Sequence, residues 1–315
     1  MTMRIRGFRF DMKCLLAANV AVVLLWCLTN IWLNSKDSLE NKALKQNSIP
    51  DSSLVLEPVK SLTTIYGITP TYSRLTQKAD LTRLSHTLMH VKNIHWIIVE
   101  DAEEKTALVA KFLNNYNLPH THLNAKTDTN FKLKTNDPNW LLPRGVAQRN
   151  AGLDWIRNHV SPHDDGVVYF MDDDNTYSLE LFTEISSIKT AGVWPVGITG
   201  GLKFEGPIEC EHGKVNAWHT AWKPDRPFPL DMAGFAVNTN LIFEYSSAVY
   251  SNHVPRGYLE SDFLTKLGLS RENVEAKANN CKDILVWHTR TEKPNMKQEA
   301  RLIQAGNPSD PSMEV

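Results

Sequence analysis

At residues 167–171 the chain reads VVYFM, and this apolar run empties directly into Asp172, Asp173 and Asp174. A segment this short and this continuously apolar does not alternate as a half-wet strand would. It reads as a central strand of a parallel sheet, buried on both faces by crossover helices. In open α/β sheets ligands bind beyond the carboxyl ends of the strands, so the three carboxylates are delivered to that crevice. Three adjacent anions repel one another unless a cation joins them. Hard oxygen ligands suit Mn2+ or Mg2+, with phosphate oxygens completing the shell. The pattern asks for a metal-bound diphosphate, and the competing reading is an acidic turn facing water. A calcium loop of the EF-hand type is disfavoured, because counting from Asp172 or Asp173 puts Tyr177 or Ser178 where the turn glycine belongs. The chain has neither GxGxxG nor GxxxxGK[ST], so neither a dinucleotide fold nor a P-loop is supported.

Around this strand, apolar runs alternate with amphipathic stretches: TTIYGIT (63–69), a helical pattern over 79–91, HWIIVE (95–100), an amphipathic stretch over 103–115, and a helix over 145–159 introduced by Pro143. After about residue 199 the pattern changes to shorter, turn-rich strands (GGLKFEG, KVNAWHTAW, AGFAVNT), followed by a helix over 261–267 and a strand over 284–287. The expectation is one α/β domain over residues 63–315, with a nucleotide-binding first half and a mixed-sheet second half. With 42% hydrophobic and 22% charged residues the chain can bury a large core, and a net charge of -1 removes the basic footprint of a nucleic-acid binder.

Ahead of this domain, residues 14–33 (CLLAANVAVVLLWCLTNIWL) carry no charge, a length that spans one bilayer. Arg4, Arg6, Arg9 and Lys13 precede the run against a lone Asp11, so residues 1–13 are expected to stay cytosolic and the remainder to lie in a lumen or outside. A cleaved signal peptide is the rival, but its apolar region is shorter and ends in small residues, whereas this one ends in Trp32 and Leu33. Residues 34–62 are polar and Ser/Asn/Lys-rich, as a stem would be. Cys14 and Cys27 fall in the apolar run, leaving Cys210 and Cys281 beyond it, where a disulfide is permitted but not required. The one candidate glycosylation acceptor, at Asn307, fails on Pro308.

Three further groupings admit a local reading and a functional one. Arg144 and Arg149, in PRGVAQR (143–149), open a helix; they are a solvated face or a pair of guanidiniums for phosphate or carboxylate. His288 and Arg290, in WHTR, close a short apolar strand, where a lone His is more often structural. Glu260, in YLESD, is either a charge favouring a helix amino terminus or a functional carboxylate.

Taken together these stretches resemble the lumenal β-1,3-glucuronyltransferases, family 43 of the glycosyltransferases. The likeness runs from about Ile65 to the carboxyl terminus through PTYSR (70–74), Glu100-Asp101, PRGVAQRN (143–150), MDDDNTY (171–177), KFEG (203–206), RPFPLDMAGFAVN (226–238), LES (259–261) and LVWHTRTEKP (285–294). The resemblance implies an α/β fold of the GT-A type, UDP-glucuronic acid as donor and Mn2+ as cofactor, with Mg2+ a substitute. By matching position, Tyr72 and Asp101 hold the uracil, Asp173 the ribose and Asp174 the metal. Asp172, Arg144 and Arg149 lie about the donor, and His288 and Arg290 reach its diphosphate and sugar. Glu260 becomes the expected general base, while Glu205, Trp222, Arg226 and Asp231 match acceptor-binding positions. Gln298 matches a position contributed by the partner in a homodimer. FEG and MKQE look like the branch that glucuronylates the galactose-galactose-xylose linker of proteoglycans, rather than the branch acting on N-acetyllactosamine ends. The type II layout implies a Golgi membrane protein with a lumenal catalytic domain.

The chemistry agrees with that implication. Inverting transfer needs one carboxylate to take the acceptor proton and no general acid, because a metal and cationic side chains stabilise the departing diphosphate. A non-catalytic lumenal metal-dependent lectin using the same acidic site has no use for a base at position 260. A two-metal phosphohydrolase requires additional clustered His/Asp ligands, which the sequence does not offer.

Overall fold

The structure is a computed structural model that describes residues 2–5, 8–11, 29, 63–134, 137–138 and 141–315. The chain divides into two units, Met1–Lys60 and Ser61–Val315. In the first, β1 (Thr2–Ile5) pairs antiparallel with β2 (Phe8–Asp11). The expected membrane anchor, apart from Thr29, and the stem lie outside the described residues. Among the described residues no helix is long and apolar enough to cross a membrane.

The second unit is organised by β3 (Thr64–Thr71), a strand whose alternate residues face two separate cores. Ile65 joins Trp96, Ile98, Val167, Tyr169 and Met171 on one face. Tyr66 and Ile68 join Ile97, Val99, Val168 and Phe170 on the other. This period of two in a strand buried throughout is what a sheet covered on both sides requires.

The covering helices show the matching period. In α1 (Gln77–Leu88) Leu81, Leu84 and Leu88 are buried three and four residues apart, onto the first face. β4 (Ile94–Glu100), α2 (Ala107–Asn114) and β5 (His120–Asn124) follow. Next, α3 (Val146–His159) lays Leu153 and Ile156 on the second face. It is entered through Gly145 at φ 70°, a left-handed conformation that glycine adopts without a Cβ penalty. Gly152 lets α3 approach the sheet closely, because a Cβ there would sit 2.8 Å from Cγ2 of Ile68.

β6 (Gly166–Phe170) is the apolar run expected to be a buried parallel strand, and it pairs parallel with β3. β7 (Thr176–Tyr177), α4 (Leu179–Ser186), β8 (Ala191–Val193), β9 (Val196–Gly197), β10 (Phe204–Ile208), β11 (Ala217–His219) and β12 (Phe235–Asn238) come next. After α5 (Thr239–Glu244) and α6 (Leu259–Lys266) come β13 (Glu275–Ala276), β14 (Val286–Trp287) and α7 (Lys297–Gln304). The larger sheet has the order β13-β8-β12-β6-β3-β4-β5, with β6, β3, β4 and β5 parallel and β12 antiparallel to both β6 and β8. From β3 the chain steps outward to β4 and β5 and then returns to β6 on β3's other side. That reversal opens a crevice at the carboxyl ends of β3 and β6.

A second sheet, β11-β10-β9-β14-β7, carries the second half of the site. Cys210, just past β10, is disulfide-bonded to Cys281 in the turn Ala278–Cys281, whose residues all have positive φ. The bond closes a separation of 71 residues, for which chain entropy alone gives roughly 4 kcal/mol. Gly206 of β10 has φ 139°, and a Cβ there would meet the Pro195 Cα at 2.8 Å. Gly206→Ala is therefore expected to destabilise the unit by about 1–3 kcal/mol and to disturb its neighbour Glu205. Urea unfolding checks the first effect, and an unchanged midpoint contradicts it.

Candidate active site

Three parallel strands end together at the crevice. β3 leads into Tyr72, β4 into Asp101 and β6 into the Asp172–Asp174 triplet. Asp101 accepts from the Thr127 N–H at 2.7 Å, and its own N–H donates to the Thr71 carbonyl at 2.8 Å. Tyr72 is 53% exposed, with the Arg74 guanidinium 4.6 Å from its ring centroid. Such an open ring next to buried hydrogen-bonding groups is what a planar base can stack on.

The sequence suggested that a cation must relieve the triplet's repulsion. Arginines do most of that instead. Asp172 is paired with Arg149 at 2.6 Å. Asp173, buried, is paired with Arg74 at 2.7 Å and accepts from the Thr71 hydroxyl at 2.7 Å. Burial nevertheless pushes the Asp173 carboxyl up to about 6, against the lowering influence of Arg74 and Thr71. Asp174 has neither ion pair nor hydrogen bond to its carboxylate among the described residues. Its pKa is raised by burial first and by Asp172 next.

Arg149 reaches the triplet because it sits in the first turn of α3 and folds back, donating also to the Arg144 carbonyl at 2.7 Å. The Arg144 side chain is itself exposed.

Beyond the triplet lies a cleft of about 800 Å3 whose lining includes Thr199, Gly200, Trp222, Asp231, His288 and Arg290. His288 follows β14, and its Nδ1 lies 2.9 Å from Oδ2 of Asp231. Asp231 also accepts from the Thr199 hydroxyl at 2.9 Å and from the Ala233 N–H at 3.0 Å. The Asp231 hydrogen bond, opposed by burial, raises the His288 pKa. Asp231's own pKa is lowered: burial works against that, and His288 outweighs it. Arg290 is exposed, 3.5 Å from Nε2 of His288.

Of the expected acceptor residues, Glu205 and Arg226 form a buried ion pair at 2.9 Å, with the Thr220 hydroxyl also donating to Glu205. Trp222 is 43% exposed and lies under the Arg256 guanidinium at 4.7 Å. Glu260 occupies the first turn of α6, has no ion pair among the described residues, and is partly exposed as a residue. Burial around its carboxyl, with Asp231 adding, raises its pKa to about 7 against Arg149 and Arg226. Glu260 thus feels charges from both the triplet side and the Glu205–Arg226 side of the cleft. The Nε–H groups of Arg149 and Arg226 are buried without partners among the described residues. Gln298 stands apart on the exposed helix α7. Sequence reasoning gave no role to Arg74, Asp80, Thr220 or Arg256; Arg74 was within reach as the last residue of PTYSR.

The sequence profile of glycosyltransferase family 43 matches residues 84–292. A Caenorhabditis elegans relative named galactosylgalactosylxylosylprotein 3-beta-glucuronosyltransferase sqv-8 is 54% identical over 236 residues, 75% of this chain and 66% of that one. The Drosophila melanogaster protein named galactosylgalactosylxylosylprotein 3-beta-glucuronosyltransferase I is 51% identical, covering 81% of this chain and 85% of its own. The human protein named with the suffix 3 is 50% identical, covering 81% and 79%. Among solved structures, S. aureus TarS 1-349 in complex with UDP-GlcNAc aligns with TM-score 0.47 and 14% identity over 74% of this chain and 60% of that one, too loose a match to argue from. With the crevice, the paired carboxylates and this profile in hand, the chain belongs to glycosyltransferase family 43. It is an enzyme of the glycosyltransferase class.

The His288–Asp231 pair sets a pH dependence of stability. A histidine whose pKa is raised by folding contributes fully below its ordinary 6.5, and the contribution fades as pH rises through the raised value. Asp231, lowered from its ordinary 3.8, limits the pair only as pH falls through that depressed value. Urea unfolding of His288→Gln beside the unsubstituted chain is expected to show a gap of about 2 kcal/mol at mildly acidic pH that narrows in alkali. A gap that widens with pH contradicts the assignment.

Proposed function

We propose that the chain transfers glucuronic acid, with inversion, from UDP-glucuronic acid to the terminal galactose of the galactose-galactose-xylose linker of proteoglycans, forming a β-1,3 bond. The observation that carries this reading is Glu260: an enclosed carboxyl with a pKa of about 7 and no arginine partner among the described residues, within electrostatic reach of Arg149 on the donor side and Asp231 and Arg226 on the acceptor side. A carboxylate with that pKa is ionised in about half the molecules at neutral pH and basic enough to accept a hydroxyl proton. A lectin gains nothing from such a group. The relatives' names support the linker as acceptor, and the sheet with its strand-end crevice is compatible with a GT-A arrangement.

In the reaction, Tyr72 and Asp101 hold the base and Asp173 accepts from the ribose. Glu205, Arg226 and Trp222 orient the acceptor galactose, with Trp222 offering its exposed ring face to the sugar. Asp231 holds His288 through Nδ1, so that Nε2 is the nitrogen left for the donor. The Glu260 carboxylate takes the proton from the acceptor hydroxyl as its oxygen attacks the anomeric carbon from the face opposite UDP. His288 and the guanidiniums of Arg149 and Arg290 receive the charge that builds on the departing diphosphate. The fit to a divalent cation rests on Asp174, a carboxylate with no other partner among the described residues whose surroundings disfavour its charge. A single carboxylate plus phosphate oxygens and water is a common Mn2+ or Mg2+ shell. When bound, that ion neutralises diphosphate charge. Membrane anchoring, Golgi residence and a homodimer contributing Gln298 complete the proposal.

The assay offers the full chain UDP-glucuronic acid and Mn2+ with, in parallel, a galactosyl-galactosyl-xyloside and an N-acetyllactosamine acceptor. Transfer to the xyloside is expected. Transfer to lactosamine alone redirects the acceptor reading, and transfer to neither with UDP bound returns the lectin. Glu260→Gln is expected to keep UDP binding and lose transfer by about 10^2–10^4; near-normal turnover removes it from the role. Asp174→Ala is expected to lose the Mn2+-dependent part of UDP binding, and unchanged binding counts against the metal assignment.

A further inference from the structure

Arg74 takes no part in the reaction described above, yet several elements of the donor end converge on it. Its Nη2 lies 2.7 Å from Oδ1 of Asp173 and 2.8 Å from Oδ2 of Asp80. Its Nη1 donates to the Tyr72 carbonyl at 3.2 Å, and its planar face lies 4.6 Å from the Tyr72 ring centroid. Asp80, fully buried in the first turn of α1, is also bonded by Arg83 and accepts from the Thr291 hydroxyl at 2.5 Å. Arg83 in turn donates to Thr291 at 2.7 Å. One guanidinium and one carboxylate therefore join the end of β3, the end of β6, α1 and the segment that follows His288 and Arg290.

We propose that Arg74, anchored by Asp80, is the positioning residue of the nucleoside half of the donor site. This rests on the UDP-sugar reading given above. Arg74 itself is held by two carboxylates and leaves the ligand to its neighbours. It supports the Tyr72 ring from one side, so that the other face is presented to the base. It also fixes Asp173: Arg74 takes Oδ1 and Thr71 takes Oδ2, and each carboxylate oxygen keeps a second lone pair for a ribose hydroxyl. Through Asp80 and Thr291 the same network fixes the start of the segment beyond Arg290. A lysine keeps the charge and one nitrogen for the two carboxylates, but has neither the second nitrogen that reaches the Tyr72 carbonyl nor the planar guanidinium that lies over the Tyr72 ring. The expected loss is therefore specific in direction: toward the nucleoside and away from the acceptor.

The test is UDP binding by calorimetry in the presence of Mn2+, together with separate donor and acceptor KM values and thermal unfolding. It is run on the full chain and its Arg74→Met, Arg74→Lys and Asp80→Asn variants. Arg74→Met is expected to weaken UDP binding and raise the donor KM by about tenfold or more, with the acceptor KM changed by less than about twofold. Arg74→Lys and Asp80→Asn are expected to shift the donor KM in the same direction by less. UDP affinity within about twofold of the unsubstituted chain in a folded Arg74→Met variant overturns the proposal. Should that variant not fold, Arg74→Lys decides: a normal donor KM, or donor and acceptor KM rising together, overturns it. An unsubstituted chain that binds no UDP removes the donor reading and this proposal with it, whereas normal binding that is indifferent to Arg74 removes the proposal alone.

Discussion

Placing carboxylates in a crevice of low dielectric is the constraint on which the rest of this molecule depends. An isolated buried carboxylate is costly enough that it ordinarily takes a proton or a partner. Here the partners are arginines: Arg149 for Asp172, Arg74 for Asp173, Arg226 for Glu205. Asp231 is held by His288. Among the site's carboxylates without such a counter-ion among the described residues, Asp174 and Glu260 have raised pKa values. In the proposed reaction these are the groups left free, Asp174 for a cation and Glu260 for a proton.

The pairs are precise because each partner sits on a rigid element. Asp172 and Asp173 leave a strand buried on both faces, and Arg149 leaves a helix that packs on that strand's neighbour through Gly152. The second sheet does the same for the acceptor half. Glu205 is fixed in β10, whose exit is tied by Cys210–Cys281 to the turn leading toward β14 and His288. The two halves meet at Glu260, whose surroundings include charges from both.

Local patterns in the sequence carried the parallel strand, the helix after Pro143 and the position of the Asp triplet at a ligand crevice, because each depends on periodicity and neighbours along the chain. The pairing of the charges was not legible. Arg74 meets Asp173 only because β3 and β6 are adjacent in the sheet, and Asp231 meets His288 across a separation of 57 residues. The triplet by itself points to a cation, because the arginines that pair with Asp172 and Asp173 are distant in the chain. The local reading of Glu260 as a helix-start charge is correct as far as it goes, since it occupies the first turn of α6. What raises its pKa is burial first and Asp231 next, neither of which is visible in YLESD. The Cys210–Cys281 bond was likewise undetermined until both ends were fixed in space.

The central claim is that Glu260 is the base, and that its enclosed setting puts its ionisation in the neutral range. The pH dependence of kcat/KM for the unsubstituted chain, which reports the ionisations of the free enzyme, tests this most directly. Since only the ionised carboxylate accepts a proton, kcat/KM should fall about tenfold per pH unit on the acid side and level off on the alkaline side, with an inflection at about 7. A rate that stays level down to about pH 5, as an ordinary exposed glutamate would give, contradicts the account.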